Sequence, residues 1–241
     1  MNIAIFGYSG FLGSHISEKL KKNSNIIEVN ARNINHNTAL EDIFKYFDKK
    51  LINCEVIINC CASLNPKNHN DIFINEKLSK IIQDYILKKG LKIHLLHLST
   101  INVFINERKD KYTSSKINSE KNLNHMCTSI IRLPLITNYG SGKKGDIEIF
   151  YKYLDFKLLP FFPMIYPGNI YRPLEIEKIC VFINDLIKSN EVPKVYNLMG
   201  KEIKSLWDIF SDISLMKKKK IFKINTLFLK KIVPNLIKDK I

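Results

Sequence analysis

Arginine is scarce in this 241-residue sequence: of its 38 basic residues only four, Arg32, Arg108, Arg132 and Arg172, are not lysine. Arginine's planar fork does most bidentate reading of bases and phosphates, so the shortage argues against a nucleic-acid partner despite a formal net charge of +15. Acidic residues are also few, 23 in all, and the imbalance is concentrated. Residues 216–241 hold nine lysines and one aspartate, which is +8 of the total, so most of the body is only mildly basic. No run approaches the roughly 20 apolar residues that a membrane-spanning helix needs. Met1-Asn2 leads straight into an apolar segment, without the basic leader of a secretory signal. The five cysteines, Cys54, Cys60, Cys61, Cys127 and Cys180, form no C-x-x-C pair. Their odd number and apolar settings read as free buried thiols, and a reducing, cytoplasmic location is expected. The six histidines lack metal-ligand spacing, so no metal site is expected, and without a G-x-S-x-G elbow a hydrolase is disfavoured.

What is present is a chain able to bury a core, with 45% hydrophobic and 25% charged residues. Short apolar runs at 2–6, 26–29, 56–61, 93–98 and 130–133 alternate with amphipathic stretches that begin after Gly13 and then cover 39–50, 71–89 and 114–127. Gly90 marks a helix end. Apolar runs bounded in this way read as strands buried on both faces, and strand–helix alternation predicts an α/β protein with a parallel, doubly wound sheet. Beyond residue 135 the rhythm breaks. The stretch 137–173 holds four of the nine glycines and Pro160, Pro163, Pro167 and Pro173, so it should be rich in loops. Helices near 175–188 and 204–215, strands at 194–198 and 220–224, and a last helix broken by Pro234 are expected to follow.

The glycines of G-Y-S-G-F-L-G, Gly7, Gly10 and Gly13, lie between the first strand and the first helix. Such a loop turns tightly and lets a pyrophosphate approach backbone N–H groups at the positive end of the helix, which makes Gly7, Ser9, Gly10, Phe11, Leu12 and Gly13 candidates for binding a dinucleotide. Where NAD-binding proteins place a carboxylate on the ribose hydroxyls, after the second strand, this chain has Val29-Asn30-Ala31-Arg32. Arg32 suits a 2′-phosphate, so NADP(H) is favoured over NAD(H). A solvated loop arginine is the competing reading.

A second constellation runs Ser99-Thr100-Ile101-Asn102-Val103-Phe104, then Tyr112-Thr113-Ser114-Ser115-Lys116 and Glu120. Ser99 and Thr100 fall at the carboxyl end of a strand, where open α/β sheets bind ligands. Tyr112 and Lys116 share one face of a helix start. An ammonium beside a phenol favours the phenolate, which suits the tyrosine to acid–base work near neutrality.

These motifs together resemble the extended short-chain dehydrogenase/reductase family, the NAD-dependent epimerase/dehydratase group that acts on nucleotide sugars. The resemblance implies a Rossmann-type domain over 1–135 and a small substrate-binding lobe over 136–241, with part of the latter returning to the sheet. It implies Tyr112 as acid/base, Lys116 as the residue that binds the ribose and tunes the tyrosine, and Thr100 as the residue that orients the substrate. It places Cys61, Ala62 and Pro134 beside the cofactor, and Thr137, Asn138 and Arg172 beside the substrate. Asn75 matches an asparagine common in the family, and a homodimer through helices 71–89 and 114–127 is implied.

The departures narrow the activity. Dehydratases of the group carry Asp-Glu after the threonine, whereas this chain has Ile101-Asn102. A 4-keto reductase of a nucleotide-linked sugar is therefore the leading expectation, a 4-epimerase with bound NAD the alternative, and a catalytically silent dinucleotide-binding scaffold or sensor the reading from another class. In the basic end segment Ile221, Ile224, Phe228, Ile232 and Leu236 recur near helical spacing among lysines. This segment either closes the lobe or lies peripherally on an anionic membrane.

Overall fold

The computed structural model describes residues 1–105, 110–138, 161–189, 191–218 and 220–225. The chain divides into two compact units, Met1–Pro134 with Ile176–Leu198, and Leu135–Glu175 with Met199–Ile241.

In the first unit β1 (Asn2–Phe6), α1 (Phe11–Leu20), β2 (Asn25–Val29), α2 (Leu40–Leu51), β3 (Val56–Asn59), α3 (His69–Glu76), α4 (Leu78–Lys88), β4 (His94–Thr100), α5 (Lys111–Lys121) and β5 (Thr128–Leu133) follow one another. A later segment returns with a helix, Ile176–Ser189, and a strand, Val195–Asn197. That strand pairs with β5, the other pairs are β5 with β4, β4 with β3, β3 with β1 and β1 with β2, and every pair is parallel. β1 thus lies between β2 and β3, and the order of strands reverses there. In open α/β sheets ligands bind outside the carboxyl ends of the strands at such a reversal, here those of β1 and β3. All four residues of β3 and six of the seven in β4 are buried, as continuous apolar runs predict. On one face Phe6, Phe44, Phe47 and Tyr85 meet edge to face at 5.3–5.7 Å between ring centres, bringing α2 and α4 onto the strands.

Three helices differ from expectation. The stretch 71–89 forms α3 and α4, which bend at Lys77 (φ −101°). Lys77 N–H still donates to Phe73 O, and Ile81 N–H to Lys77 O, so the apolar period runs through the bend unbroken. The stretch 114–127 is a shorter helix displaced toward the N-terminus. It starts at Lys111 because Asp110 caps it, accepting Thr113 N–H at 2.9 Å and Thr113 Oγ1–H at 2.8 Å. It stops at Lys121, after which Gln83 of α4 holds Asn124 through both its N–H and its carbonyl. The first helix also begins earlier than its pattern suggests, at Phe11. Gly90 ends α4 with φ +63°.

In the second unit the described strands form small pairings. β6 (Ile136–Thr137) pairs in parallel with β9 (Leu174–Glu175), and β7 (Phe161–Tyr166) with β12 (Lys220–Asn225), while β8 (Ile170–Tyr171) and β11 (Lys204–Ser205) run antiparallel. The helix Ile176–Ser189 is numbered α6, the strand Val195–Asn197 β10, and the helix Leu206–Lys217 α7. A capping box between Ser205 and Asp208 starts α7. Met164, Ile209, Phe210 and Ile213 form a small core beneath it. A Cβ on Gly200 would lie 1.8 Å from Pro173 O, so no larger residue fits there. The rest of the loop-rich stretch and the helix broken by Pro234, with Phe228, Ile232 and Leu236, fall outside the described residues.

Candidate dinucleotide and acid–base site

The glycine loop is held by close backbone approach. Gly7 adopts φ +74°, and a Cβ there would meet Cys60 C and Cys61 N at 3.1 Å, so the loop nests against the end of β3. Gly10 N–H donates to Gly7 O at 2.9 Å. A Cβ on Gly13 would lie 2.2 Å from that same oxygen, so α1 can pack this close to the loop only with glycine. Gly10 is the N-cap of α1 and makes no side-chain cap, and the first turn has no acidic residue. The first-turn N–H groups of Phe11, Leu12 and Gly13 therefore suit an anion. Ser9 and Gly10 are exposed, Phe11 and Leu12 half-buried.

After β2, Arg32 stands exposed on a short turn whose N–H donates to Asn30 Oδ1 at 3.0 Å. After β3, Cys61 is buried, with its N–H donated to Asn59 Oδ1 at 3.1 Å, and Ala62 is exposed. Burial raises the Cys61 thiol to about 12, so it stays protonated at neutral pH, although the Lys116 ammonium acts in the opposite direction. Asn75 of α3 clamps the next residue from both sides, accepting Ser63 N–H at 2.8 Å and donating to Ser63 O at 2.9 Å. It also donates to Ser115 Oγ, which donates to Tyr112 O at 2.7 Å. One asparagine thus ties the loop after β3 to the first turn of α5.

Lys116 is 1% exposed, and its Nζ donates to Leu98 O at 2.9 Å. Burial lowers its pKa to about 8, with Cys61, Glu120 and Cys60 partly offsetting the loss of solvent. Tyr112, half-buried, lies one helical turn earlier. Thr100 ends β4, and its Oγ1 accepts Asn102 N–H at 3.2 Å. That leaves the hydroxyl hydrogen available for another acceptor. Ser99 is committed elsewhere: it donates to Glu120 Oε1 at 2.5 Å. Glu120 also accepts Arg132 Nη2–H at 2.6 Å and Nε–H at 3.0 Å, and the guanidinium stacks 4.6 Å from the Phe104 ring centre. This ion pair anchors the far end of α5 to the sheet.

Beneath these residues lies a polar feature that composition did not reveal. Phe6, Asn59, His97 and Ile130 are register partners across β1, β3, β4 and β5, a row with two polar members in its middle. His97 Nε2 bonds Ser119 Oγ at 3.2 Å, and Ser119 bonds Ser79 at 2.8 Å. Burial, then the charge of Lys116, holds His97 well below the usual histidine range. His97 Nδ1 and Asn59 Nδ2 have no hydrogen-bond partner among the described residues. A polar residue inside an apolar strand was the available signal, but the register that pairs the two is visible only in the fold.

Pro134, buried, closes the first unit directly after β5. The candidate substrate residues belong to the second unit. Thr137 is buried in β6, Asn138 follows half-buried, and Arg172 is exposed, with its carbonyl accepting Gly200 N–H at 3.1 Å. Among the described residues no group of three or more His, Cys, Asp and Glu is arranged to hold a metal ion. No described helix is long and apolar enough to cross a membrane.

No protein-family model matches the sequence, and no curated protein matches it. Solved structures do. The dTDP-4-dehydrorhamnose reductase of Clostridium acetobutylicum superposes with a TM-score of 0.76 at 19% identity, over 93% of this chain and 83% of that one. The fold is that of the extended short-chain dehydrogenases/reductases. The corresponding reductase of Bacillus anthracis, solved with NADP, gives 0.74 at 18% identity over 93% and 83%. The UDP-glucose 4-epimerase of Thermus thermophilus, solved with NAD, gives 0.71 at 15% over 93% and 86%. The resemblance carried by the motifs is therefore borne out in the fold.

Proposed function

We propose that the chain is a nicotinamide-dinucleotide-dependent oxidoreductase that reduces the 4-keto group of a nucleotide-linked sugar. The observation that carries this reading is Lys116, buried yet held by Leu98 O one turn from Tyr112, at the same carboxyl edge of the sheet as the glycine loop. The cradle suits a dinucleotide, because a Cβ on Gly13 would overlap Gly7 O, one on Gly7 would crowd Cys60 and Cys61 at 3.1 Å, and the first turn of α1 offers N–H groups without a competing acid. Gly7, Ser9, Gly10, Phe11, Leu12 and Gly13 would hold the pyrophosphate, Arg32 a 2′-phosphate, and Cys61, Ala62, Lys116 and Pro134 the rest of the cofactor. NADP(H) is preferred over NAD(H) on the strength of Arg32. When bound in its reduced form, the group would supply the hydride that the carbonyl carbon of the substrate accepts.

The chain's own residues manage the oxygen and its proton. Tyr112 donates its phenolic proton to the developing alkoxide. The Lys116 ammonium favours the phenolate that remains. Thr100, whose oxygen already accepts Asn102 N–H, donates its hydrogen to the same substrate oxygen. Thr137, Asn138 and Arg172 bind the nucleotide sugar. Ile101 and Asn102, which follow Thr100 without a carboxylate, supply no second acid and base for eliminating water. The intact pair of Tyr112 and Lys116 speaks against a silent scaffold. The five free thiols fit a cytoplasmic enzyme, and α3, α4 and α5 are the elements through which two copies would pair. Incubation with NADPH and a panel of dTDP-, CDP-, UDP- and GDP-linked 4-keto sugars tests the reading. A reductase consumes added NADPH with one of them. Purification with NAD bound, and interconversion of sugars without net consumption, would instead identify an epimerase.

A further inference from the structure

The helix that carries Tyr112 and Lys116 has no apolar side chain among its buried residues, which are Thr113, Ser115, Lys116 and Ser119. Apolar burial has no direction and tolerates sliding, whereas hydrogen bonds hold a helix at one rotation and one height. α5 is therefore set on the sheet by polar contacts. Ser115 accepts from Asn75, Lys116 donates to Leu98 O, and Glu120 accepts from Ser99 and Arg132. Ser119 falls to His97, a buried residue that takes no part in the proposed chemistry.

Tyr112, Lys116 and Ser119 recur at i, i+4 and i+7, which makes one stripe along the helix. At the end of that stripe Ser119 Oγ lies 3.2 Å from His97 Nε2 of β4 and 2.8 Å from Ser79 Oγ of α4. All three side chains are at most 1% exposed, so water does not compete for these bonds. Their direction follows from the imidazole. Burial and the Lys116 charge keep it neutral, so it carries one N–H. Nδ1 has no partner among the described residues, and a bare lone pair costs less there than an orphaned N–H. The hydrogen therefore sits on Nε2 and is donated to Ser119 Oγ, and Ser119 donates in turn to Ser79 Oγ. One ring nitrogen thus ties β4, α5 and α4 together, about one turn beyond Lys116. We propose that His97 is a positioning residue for the acid–base pair, donating from Nε2 to Ser119 so that α5 presents Tyr112 and Lys116 at the rotation that proton transfer requires. The proposal rests on the roles given above to Tyr112 and Lys116, but the geometry it invokes is also measurable without a substrate.

Two amides dissect the ring. Glutamine can place its N–H where His97 has Nε2–H, whereas the shorter asparagine reaches only the place of Nδ1. In the full chain, with the keto sugar that the wild-type protein accepts, His97→Asn should lower kcat at least about ten-fold and change KM for the sugar less than about two-fold, because a misplaced acid–base pair slows the chemical step more than binding. His97→Gln should restore kcat to within about three-fold of wild type. Ser119→Ala, which removes a single hydroxyl, should match His97→Asn, and the two together should be no slower than either alone. The readout without substrate is Lys116 itself. Its side-chain NMR titration near pH 8, assigned by its loss in Lys116→Met, should move upward by at least about 0.5 in pH in His97→Asn and Ser119→Ala, as the loosened helix admits water, and stay in place in His97→Gln. Wild-type kcat and a wild-type Lys116 titration in His97→Asn would overturn the proposal, and so would equal losses in His97→Asn and His97→Gln. Should no nucleotide-linked keto sugar be turned over, the proposed activity falls, and the Lys116 titration alone decides the positioning role.

Discussion

The two units hold their backbones by different means. In the first, six parallel strands are joined edge to edge, and the candidate catalytic groups project from strand ends and from a helix fixed by Asp110, Asn75 and the Glu120–Arg132 pair. In the second, the described residues form three separate two-stranded pairings and α7, whose Ile209, Phe210 and Ile213 are buried with Met164. A continuous sheet positions acid–base chemistry to a fraction of an ångström, whereas small pairings leave room for specificity to change without disturbing it. We proposed above that cofactor and proton transfer belong to the first unit and sugar recognition to the second, a division that is in keeping with that contrast.

Paired glycine substitutions should break the comparison most sharply. Gly13→Ala drives a methyl into Gly7 O and should abolish dinucleotide binding while costing about 3 kcal/mol of stability. Gly200→Ala drives one into Pro173 O and should spare dinucleotide binding while raising KM for the nucleotide sugar by at least about ten-fold. Cofactor titration of both variants distinguishes the two. Next comes Glu120→Gln, which strands Arg132 with only 18% of its side chain exposed and should lower stability by about 3 kcal/mol in chemical denaturation.

Lys116→Met should do the reverse, removing turnover but raising stability at pH 7 by about 2 kcal/mol, because an ammonium is no longer buried. The sign follows from linkage. The native lysine gives up its proton near pH 8 and the unfolded one only near pH 10.5, so wild-type stability should rise with pH between those values, and that rise should vanish in the variant. His97 acts at the other end. Its native pKa lies far below the ordinary 6.5, so stability present above that pH should fall as the unfolded state takes up a proton below it, and His97→Asn should flatten the acid limb of a melting-temperature profile. The smallest effect is expected at exposed Arg32, where Arg32→Ser should weaken NADPH binding by about ten-fold and leave NADH unchanged.

Much of the first unit was legible in the sequence because parallel strands buried on both faces appear as unbroken apolar runs, and because the glycine loop and the pair of Tyr112 and Lys116 are local patterns. What escaped was non-local or masked by periodicity. The bend at Lys77 keeps its hydrogen bonds, so the apolar spacing of 71–89 gives no sign of it. The start of α5 was hidden because the cap at Asp110 precedes a turn of polar residues. The pairing of Asn59 with His97 depends on register, and that of β7 with β12 joins distant stretches of the chain.

The central claim rests on the Tyr112 hydroxyl, and Tyr112→Phe tests it with little change of shape. In an assay that follows NADPH consumption with the keto sugar that the wild-type protein accepts, the variant should bind cofactor normally and turn over at least about a hundred-fold more slowly. Turnover equal to wild type would contradict the account.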